Sequence, residues 1–138
     1  MQELYTILAF RAEVFVVEQN CPYQDLDGQD QQAIHVQISQ DGQLIAYARI
    51  FSADVLEGPN HVLGRILVRE NFRKKGMGDA LVENVLNYIS NHWNAAAIKI
   101  SAQLHLKDFY GKHGFRAKGE SYLEDGIPHI AMIRPLAN

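Results

Sequence analysis

The sequence predicts an α+β fold, a mixed and mostly antiparallel sheet flanked by helices, and three observations carry that prediction. Apolar residues alternate through residues 33–39 and again through 43–51, with Asp41-Gly42 between them, which is the signature of a hairpin. A third apolar run at 62–68 leads through a glycine-bearing turn into Leu81, Val82, Val85, Leu86 and Ile89, spaced for one face of a helix. Two more strand-like runs, 115–122 and 127–133, flank a turn at Glu124-Asp125-Gly126. The order is helix, three strands, helix, strand, helix, two strands.

Each element has a local cause. Residues 2–12 place Leu4, Ile7, Leu8 and Arg11 at helical spacing, with Glu3 early enough to complement the helix dipole. Residues 14–17 are all β-branched or aromatic and run into Gln19-Asn20-Cys21-Pro22, where proline ends any regular element. An acidic loop follows as far as residue 30. Its Asp25-Leu26-Asp27-Gly28 invites comparison with a calcium loop, but placing Gly28 at that loop's glycine puts Tyr23 at the first ligand position and Ile34 at the last. The stretch is therefore read as a turn. In the first strand Ile34, Val36 and Ile38 share one face, and His35 and Gln37 the other. Residues 52–60, with Gly58 and Pro59, read as a loop, and the helix over 79–92 is closed by Trp93. A strand at 96–102 precedes a short helix at 104–113 whose apolar side carries Leu106, Phe109 and Tyr110 and which Gly114 ends.

The 138 residues read as one domain spanning 1–138, and 47% hydrophobic with 21% charged residues fits a globular chain. A net charge of −3 without an extended basic block argues against a nucleic-acid partner. No apolar run approaches the ~20 residues of a membrane span, and the N-terminus lacks the charged, apolar and small-residue series of a secretion signal. A cytoplasmic location is expected, with no membrane partner. The single cysteine, Cys21, has no partner for an internal disulfide, in keeping with a reducing compartment. His61, His92, His105 and His113 show no metal-ligand spacing, and no metal is expected.

The chemistry centres on Arg73-Lys74-Lys75-Gly76-Met77-Gly78, between a strand and a helix. Such a turn points several backbone N–H groups at one spot, the helix dipole adds positive potential, and glycines let the backbone approach a ligand. That combination suits a pyrophosphate. The NTPase loop is excluded, because Asp79 and Ala80 stand where it needs a lysine and a hydroxyl, and the dinucleotide fingerprint lacks its third glycine. What remains, Arg-x-x-Gly-x-Gly after Arg65-Ile66-Leu67-Val68, resembles the acetyl-CoA loop of the GNAT N-acetyltransferases.

A second stretch makes the resemblance specific. Gln103-Leu104-His105-Leu106-Lys107-Asp108-Phe109-Tyr110-Gly111-Lys112-His113-Gly114-Phe115 is similar to the GNAT signature in which an amide side chain precedes a Phe-Tyr pair and Gly-Phe closes the helix. Three further stretches resemble the ElaA-type branch: Val14-Phe15-Val16-Val17-Glu18-Gln19 with Cys21-Pro22-Tyr23-Gln24-Asp25 and Asp27-Gly28; Ala46-Tyr47-Ala48-Arg49-Ile50; and Tyr122 with Glu124-Asp125-Gly126-Ile127-Pro128-His129. The resemblance covers nearly the whole chain and departs from the family in two places. Relatives begin with a strand before the first helix, whereas here Met1 is only a few residues ahead of Leu4; either the chain is a shortened product or the sheet lacks an edge strand, and in the second case the open neighbouring edge would invite pairing with a second copy in a homodimer. Gln103 stands where many relatives have asparagine.

The resemblance implies transfer of an acetyl group from acetyl-CoA to an amine in a ternary complex. Ile66, Leu67 and Val68 would offer backbone to the pantetheine arm, Arg73, Lys74, Lys75, Gly76, Met77 and Gly78 would hold the pyrophosphate, and Gln103 and Tyr110 would complete the cosubstrate site. A backbone N–H at the end of that strand would also stabilise a developing oxyanion. A lysine-like amine has a pKa of ~10.4, so only about one in a thousand is neutral at pH 7, and a base must help. The departing CoA sulfur, with a pKa of about 8.5, can take its proton from a phenol, and Tyr110 is the candidate acid. Glu18, His35, Glu124, His129 or a water chain remain open as the base. Plainer readings stand beside these: Tyr110 and Phe109 as core, Arg73 to Lys75 as a solvated turn, Gln103 as a local hydrogen bonder, and Glu124-Asp125 as turn chemistry. The acceptor is open among small amines, polyamines, peptide N-termini and protein lysines. A non-catalytic acetyl-CoA sensor and a pure interaction domain are the alternatives from other classes.

Overall fold

The runs read from the sequence assemble into one six-stranded sheet in a computed structural model that describes residues 2–14 and 28–136. Glu18, Cys21 and Asp25-Leu26-Asp27 lie outside the described residues. Strands β1 (Ile34–Gln40), β2 (Gln43–Phe51) and β3 (His61–Val68) form an antiparallel meander. The chain crosses over through a helix, Met77–His92, to β4 (Ile98–Gln103), which lies parallel to β3. Strands β5 (Arg116–Glu124) and β6 (Ile127–Arg134) complete the order β1-β2-β3-β4-β6-β5. The first helix, α1, spans Gln2–Arg11, and residues 12–14 continue it as a wider turn.

Two departures from the expected elements have local reasons. The loop at 52–60 contains a single helical turn, α2 (Ala53–Leu56), because Ser52 Oγ accepts from the Val55 N–H at 3.2 Å and caps it. The short helix at 104–113 resolves into a 3-10 turn, Leu104–Leu106, followed by α4 (Lys107–Gly111). The crossover helix Met77–His92 is thus α3, and Trp93 caps it as expected, donating its N–H to Ile89 O at 2.9 Å.

Packing divides the sheet into two faces. On one, α3 buries Leu81, Val82, Val85, Leu86 and Ile89 against Ala46, Ala48, Ile50 and Leu63, each large side chain contributing on the order of 2 kcal/mol. On the other, α1 lays Ile7, Phe10 and then Val14 over Leu44, Tyr47 and Leu67. Simple alternation would put Leu63, Arg65 and Leu67 on one face. They divide because β3 carries an extra residue: Tyr47 pairs with Leu67 and Arg49 with Gly64, so two residues of β3 oppose one of β2. Arg65 sits at that bulge with φ +49°.

Arg11 occupies the apolar stripe of α1 and is 0% exposed. Its Nη1 lies 2.6 Å from Asp30 Oδ1, and Arg49 Nη1 lies 3.2 Å from the same oxygen. Burial opposes ionisation of Asp30, but the Arg11 hydrogen bond and charge, joined by Arg49, outweigh it and hold the carboxyl below its ordinary value. Beside it the Arg11 guanidinium stands 5.8 Å from the Tyr47 ring, and burial pushes the Tyr47 phenol up to about 12. His35 joins this cluster. Its Nε2 faces Asp30 O at 3.1 Å, and since a carbonyl only accepts, Nε2 carries the proton and Nδ1 accepts from the Tyr47 hydroxyl.

Among the described residues no helix is long and apolar enough to cross a membrane. Replacing Asp30 by Asn would leave two buried arginines without their shared carboxylate, and urea unfolding is expected to show a loss of about 3–5 kcal/mol. Because the folded-state carboxyl is depressed, its contribution is complete above the ordinary value of 3.8 and declines as pH falls below it. Thermal unfolding of the wild type should therefore weaken below about pH 4, and the Asn variant should lose that part of the dependence.

Candidate active site

Strands β3 and β4 are paired only at His61 with Ile98 and Val62 with Lys99. Beyond those two pairs they part, and a cleft of about 300 Å³ opens between residues 63–66 and 100–103. Tyr110 reaches it from α4, and Glu124, Asp125 and His129 from the β5–β6 hairpin. The register shows how these groups approach. Gln103, His129 and Tyr122 lie in one row across β4, β6 and β5. Alternation puts them on the face opposite Ala102 and Ile130, which pack with Tyr110 in the α3-side core. Tyr110 thus enters the gap from one face of the sheet, and His129 and Glu124 stand on the other.

Helix α4 has five residues, too few to stand unaided, and contacts with α3 and β6 hold it and the turn after it. The Phe109 ring lies against Gly78, where a Cβ would meet it at 3.2 Å. His113 sits between two carboxylates, with Nε2 2.8 Å from Asp79 Oδ1 and Nδ1 3.0 Å from Glu83 Oε1, and its carbonyl accepts from Arg134 Nε at 2.7 Å. The hydrogen bond from His113, with Lys112 alongside, holds the Asp79 carboxyl below its usual range. So anchored, Tyr110 is 5% exposed, and burial pushes its phenol above its ordinary value of 10, leaving it a protonated donor throughout the neutral range.

The basic turn joins β3 to α3. Gly76 caps α3 with φ +78°, and Ala80 is the first residue whose N–H returns to the helix, onto Gly76 O at 3.0 Å. The N–H groups of residues 77–79 are the orphan donors of a helix start, and Arg73, Lys74 and Lys75 are exposed around them. On its Cβ side the bare Cα of Gly78 admits the Phe109 ring. The Met77 side chain turns into the core, so this residue offers only backbone. Ile66 and Val68 likewise pack inward, and Leu67 is buried under α1, so these three residues offer the cleft backbone. Arg73 Nε donates to Val68 O at 2.7 Å and ties the turn to that strand.

The base candidates separate. His129 is 7% exposed, and its Nδ1 lies 2.7 Å from Ile127 O, so that nitrogen carries a proton and in the neutral ring Nε2 is the one with the lone pair. Glu124 Oε2 stands 3.5 Å from that Nε2. His35 is not brought to the cleft: the Tyr47 hydroxyl and Asp30 O hold it under α1, because its strand is the far edge of the sheet. Glu18 lies outside the described residues. Gln103 lines the cleft, as do Arg49 and Arg65, which the sequence shows only within matching stretches, Asp125, which it shows as part of an acidic turn, and Ser101, to which it gives no role. Ser101 shares a strand face with Gln103, two residues on, and Arg49 is a charge inside an apolar run; both were visible signals. No group of three or more His, Cys, Asp or Glu is placed to hold a metal among the described residues.

At Gly76 a Cβ finds open space but the wrong backbone region. Gly76→Ala is therefore expected to lower stability by about 1 kcal/mol in urea unfolding, from conformation alone.

Comparison with known proteins agrees with this geometry. A family model described as an acetyltransferase (GNAT) domain matches residues 5–136. The protein ElaA of Escherichia coli strain K12 is 43% identical over 136 residues, 97% of this chain and 88% of its own. The crystal structure of an acyl-CoA N-acyltransferase from Pseudomonas aeruginosa superposes with a TM-score of 0.90 at 44% identity, covering 96% of this chain and 89% of that one. A GNAT family acetyltransferase from Elizabethkingia anophelis with acetyl-CoA bound shares the fold at a TM-score of 0.66 and 19% identity, over 83% of this chain and 84% of that one. With a sheet parted between β3 and β4, a glycine-capped basic turn and a family match from residue 5 to residue 136, the chain belongs to the GNAT acetyltransferase family, as a homologue of ElaA.

Proposed function

We propose that this protein is an N-acetyltransferase that moves an acetyl group from acetyl-CoA to a primary amine by direct attack within a ternary complex, acting as a single domain. Membership of the family supports acetyl transfer from acetyl-CoA. The observation that carries the finer reading is the pair of proton-handling groups in one cleft: Tyr110 from one face of the sheet, His129 with Glu124 from the other.

The residues present suit the cosubstrate. The N-terminus of α3, with its orphan N–H groups, αL Gly76 and three exposed cations, matches a pyrophosphate, and the unpaired edge of β3 matches an amide-bearing arm. Acetyl-CoA supplies a thioester. His129 Nε2 takes the proton that the amine must lose, and the adjacent Glu124 carboxylate stabilises the resulting imidazolium. Tyr110 gives its proton to the sulfur as the C–S bond breaks and the new C–N bond forms. Because the two groups approach from opposite faces, amine and thioester can be present together and no acyl-enzyme is required. Glu124 and Asp125 place negative charge at the cleft, where a cationic amine would arrive.

Free CoA released from acetyl-CoA, measured by chromatography across a panel of primary amines, tests the proposal, and no release above the amine-free control on any class would overturn it. On a responsive amine, Tyr110→Phe is expected to lower kcat about a hundredfold with acetyl-CoA affinity nearly unchanged. An unchanged kcat would remove Tyr110 as the acid.

A further inference from the structure

We propose that Ser101 and Tyr122 are positioning residues that hold the Glu124 carboxylate against the His129 ring, a role that rests on the catalytic reading of that pair. The hydrogen bonds run in one direction. The Tyr122 hydroxyl and Ser101 Oγ are bonded to each other, and Ser101 Oγ donates to Glu124 Oε1 at 3.3 Å. Since a carboxylate only accepts, Ser101 spends its single proton on Glu124, and its oxygen takes the phenol proton of Tyr122. The chain is therefore Tyr122 to Ser101 to Glu124, each donor polarising the next. It occupies Oε1 and leaves Oε2 on the side of His129 Nε2, 3.5 Å away.

Tyr122 engages the base at both ends. While its hydroxyl reaches the carboxylate through Ser101, its ring lies 6.3 Å from the His129 ring at an interplanar angle of 25°. The Ile127 carbonyl fixes the other edge of the imidazole at Nδ1. Position and tautomer of the ring are thus set from three sides.

The backbone was bent to bring this about. In the β5–β6 ladder Lys118 pairs with Ala131, and the next pairing is Tyr122 with His129, so four steps on β5 match two on β6. A regular ladder would set Glu120 opposite His129. The two-residue excess, which contains Gly119 at φ +80°, moves Tyr122 there instead and keeps Glu124 on the same face. The Glu124 side chain is half exposed at 50%, so burial by itself restricts its rotamers only loosely and these contacts select among them. An exposed carboxylate without them samples several.

The test is a double-mutant cycle on kcat, with acetyl-CoA Kd and Tm measured for every protein. Ser101→Ala is expected to lower kcat about tenfold with Kd and Tm nearly unchanged, Tyr122→Phe to do the same, and Ser101→Thr to recover most of the loss. In a Glu124→Gln background Ser101→Ala should add little, since it acts through Glu124. A full additional loss in that background, or a loss that follows Tm, overturns the proposal. If the wild type transfers acetyl to no amine, the catalytic reading fails by itself, and a crystal structure of Ser101→Ala decides the positioning role. Glu124 withdrawn from His129 supports it, and Glu124 unmoved overturns it.

Discussion

Everything functional in this molecule depends on a sheet that stops pairing in its middle. Antiparallel ladders secure β1 to β3 on one side and β4, β6 and β5 on the other, and only two residue pairs join the halves. Past Val62 the inner edges of β3 and β4 turn away from each other. Backbone groups without partners are costly when buried, so such a gap persists only where solvent or a ligand reaches them. An extended amide-bearing ligand can complete the edge of β3 as a strand would. The same gap lets a side chain from under the sheet meet side chains lying above it.

The bulge at Arg65 extends this logic to side chains. A regular β3 would have turned its core residues to one face, depriving either α1 or α3 of that strand's share of apolar surface. With the extra residue each helix finds its own layer. Under α1 that layer encloses an ion cluster of Arg11, Asp30 and Arg49. Such clusters seldom add net stability over apolar packing, yet they fix geometry strongly because any single defect leaves a charge stranded. Arg49 also lines the cleft, so the cluster sets one wall of the site from behind.

Helix α4 shows how a short element can be made rigid. Its anchors, Phe109 on Gly78 and His113 between Asp79 and Glu83, all lie on the first turns of α3. The helix whose N-terminus is proposed to receive a pyrophosphate is therefore the one that positions Tyr110. In that proposal cosubstrate and acid share a single frame, and their spacing does not depend on a flexible loop.

Much of this was legible in the sequence because it is local. Alternation and helical spacing located all six strands and α1 and α3 within a few residues, and the turn chemistry of Asp41-Gly42 and Gly126 placed both hairpins. The strand, basic turn and helix order was enough to identify a family, and Tyr110, Gln103, Glu124 and His129 do meet in one cleft. What the sequence left open depends on distance through space. His35 and His129 look alike in an alternating strand, and only the strand order puts one at the far edge under α1 and the other beside the gap. The packing of the Phe109 ring against the bare Cα of Gly78 is a contact of the same kind. The bulges at Arg65 and Gly119 are marked in the sequence only by a glycine within each strand run, which does not give the size of the shift, yet they decide which residues face which helix and which side chain of β5 meets the histidine. The sequence determined the elements and the kind of chemistry, because both follow from neighbours along the chain. Tertiary structure alone decided which titratable groups share the cleft, because register and strand order are set by packing between segments far apart in sequence.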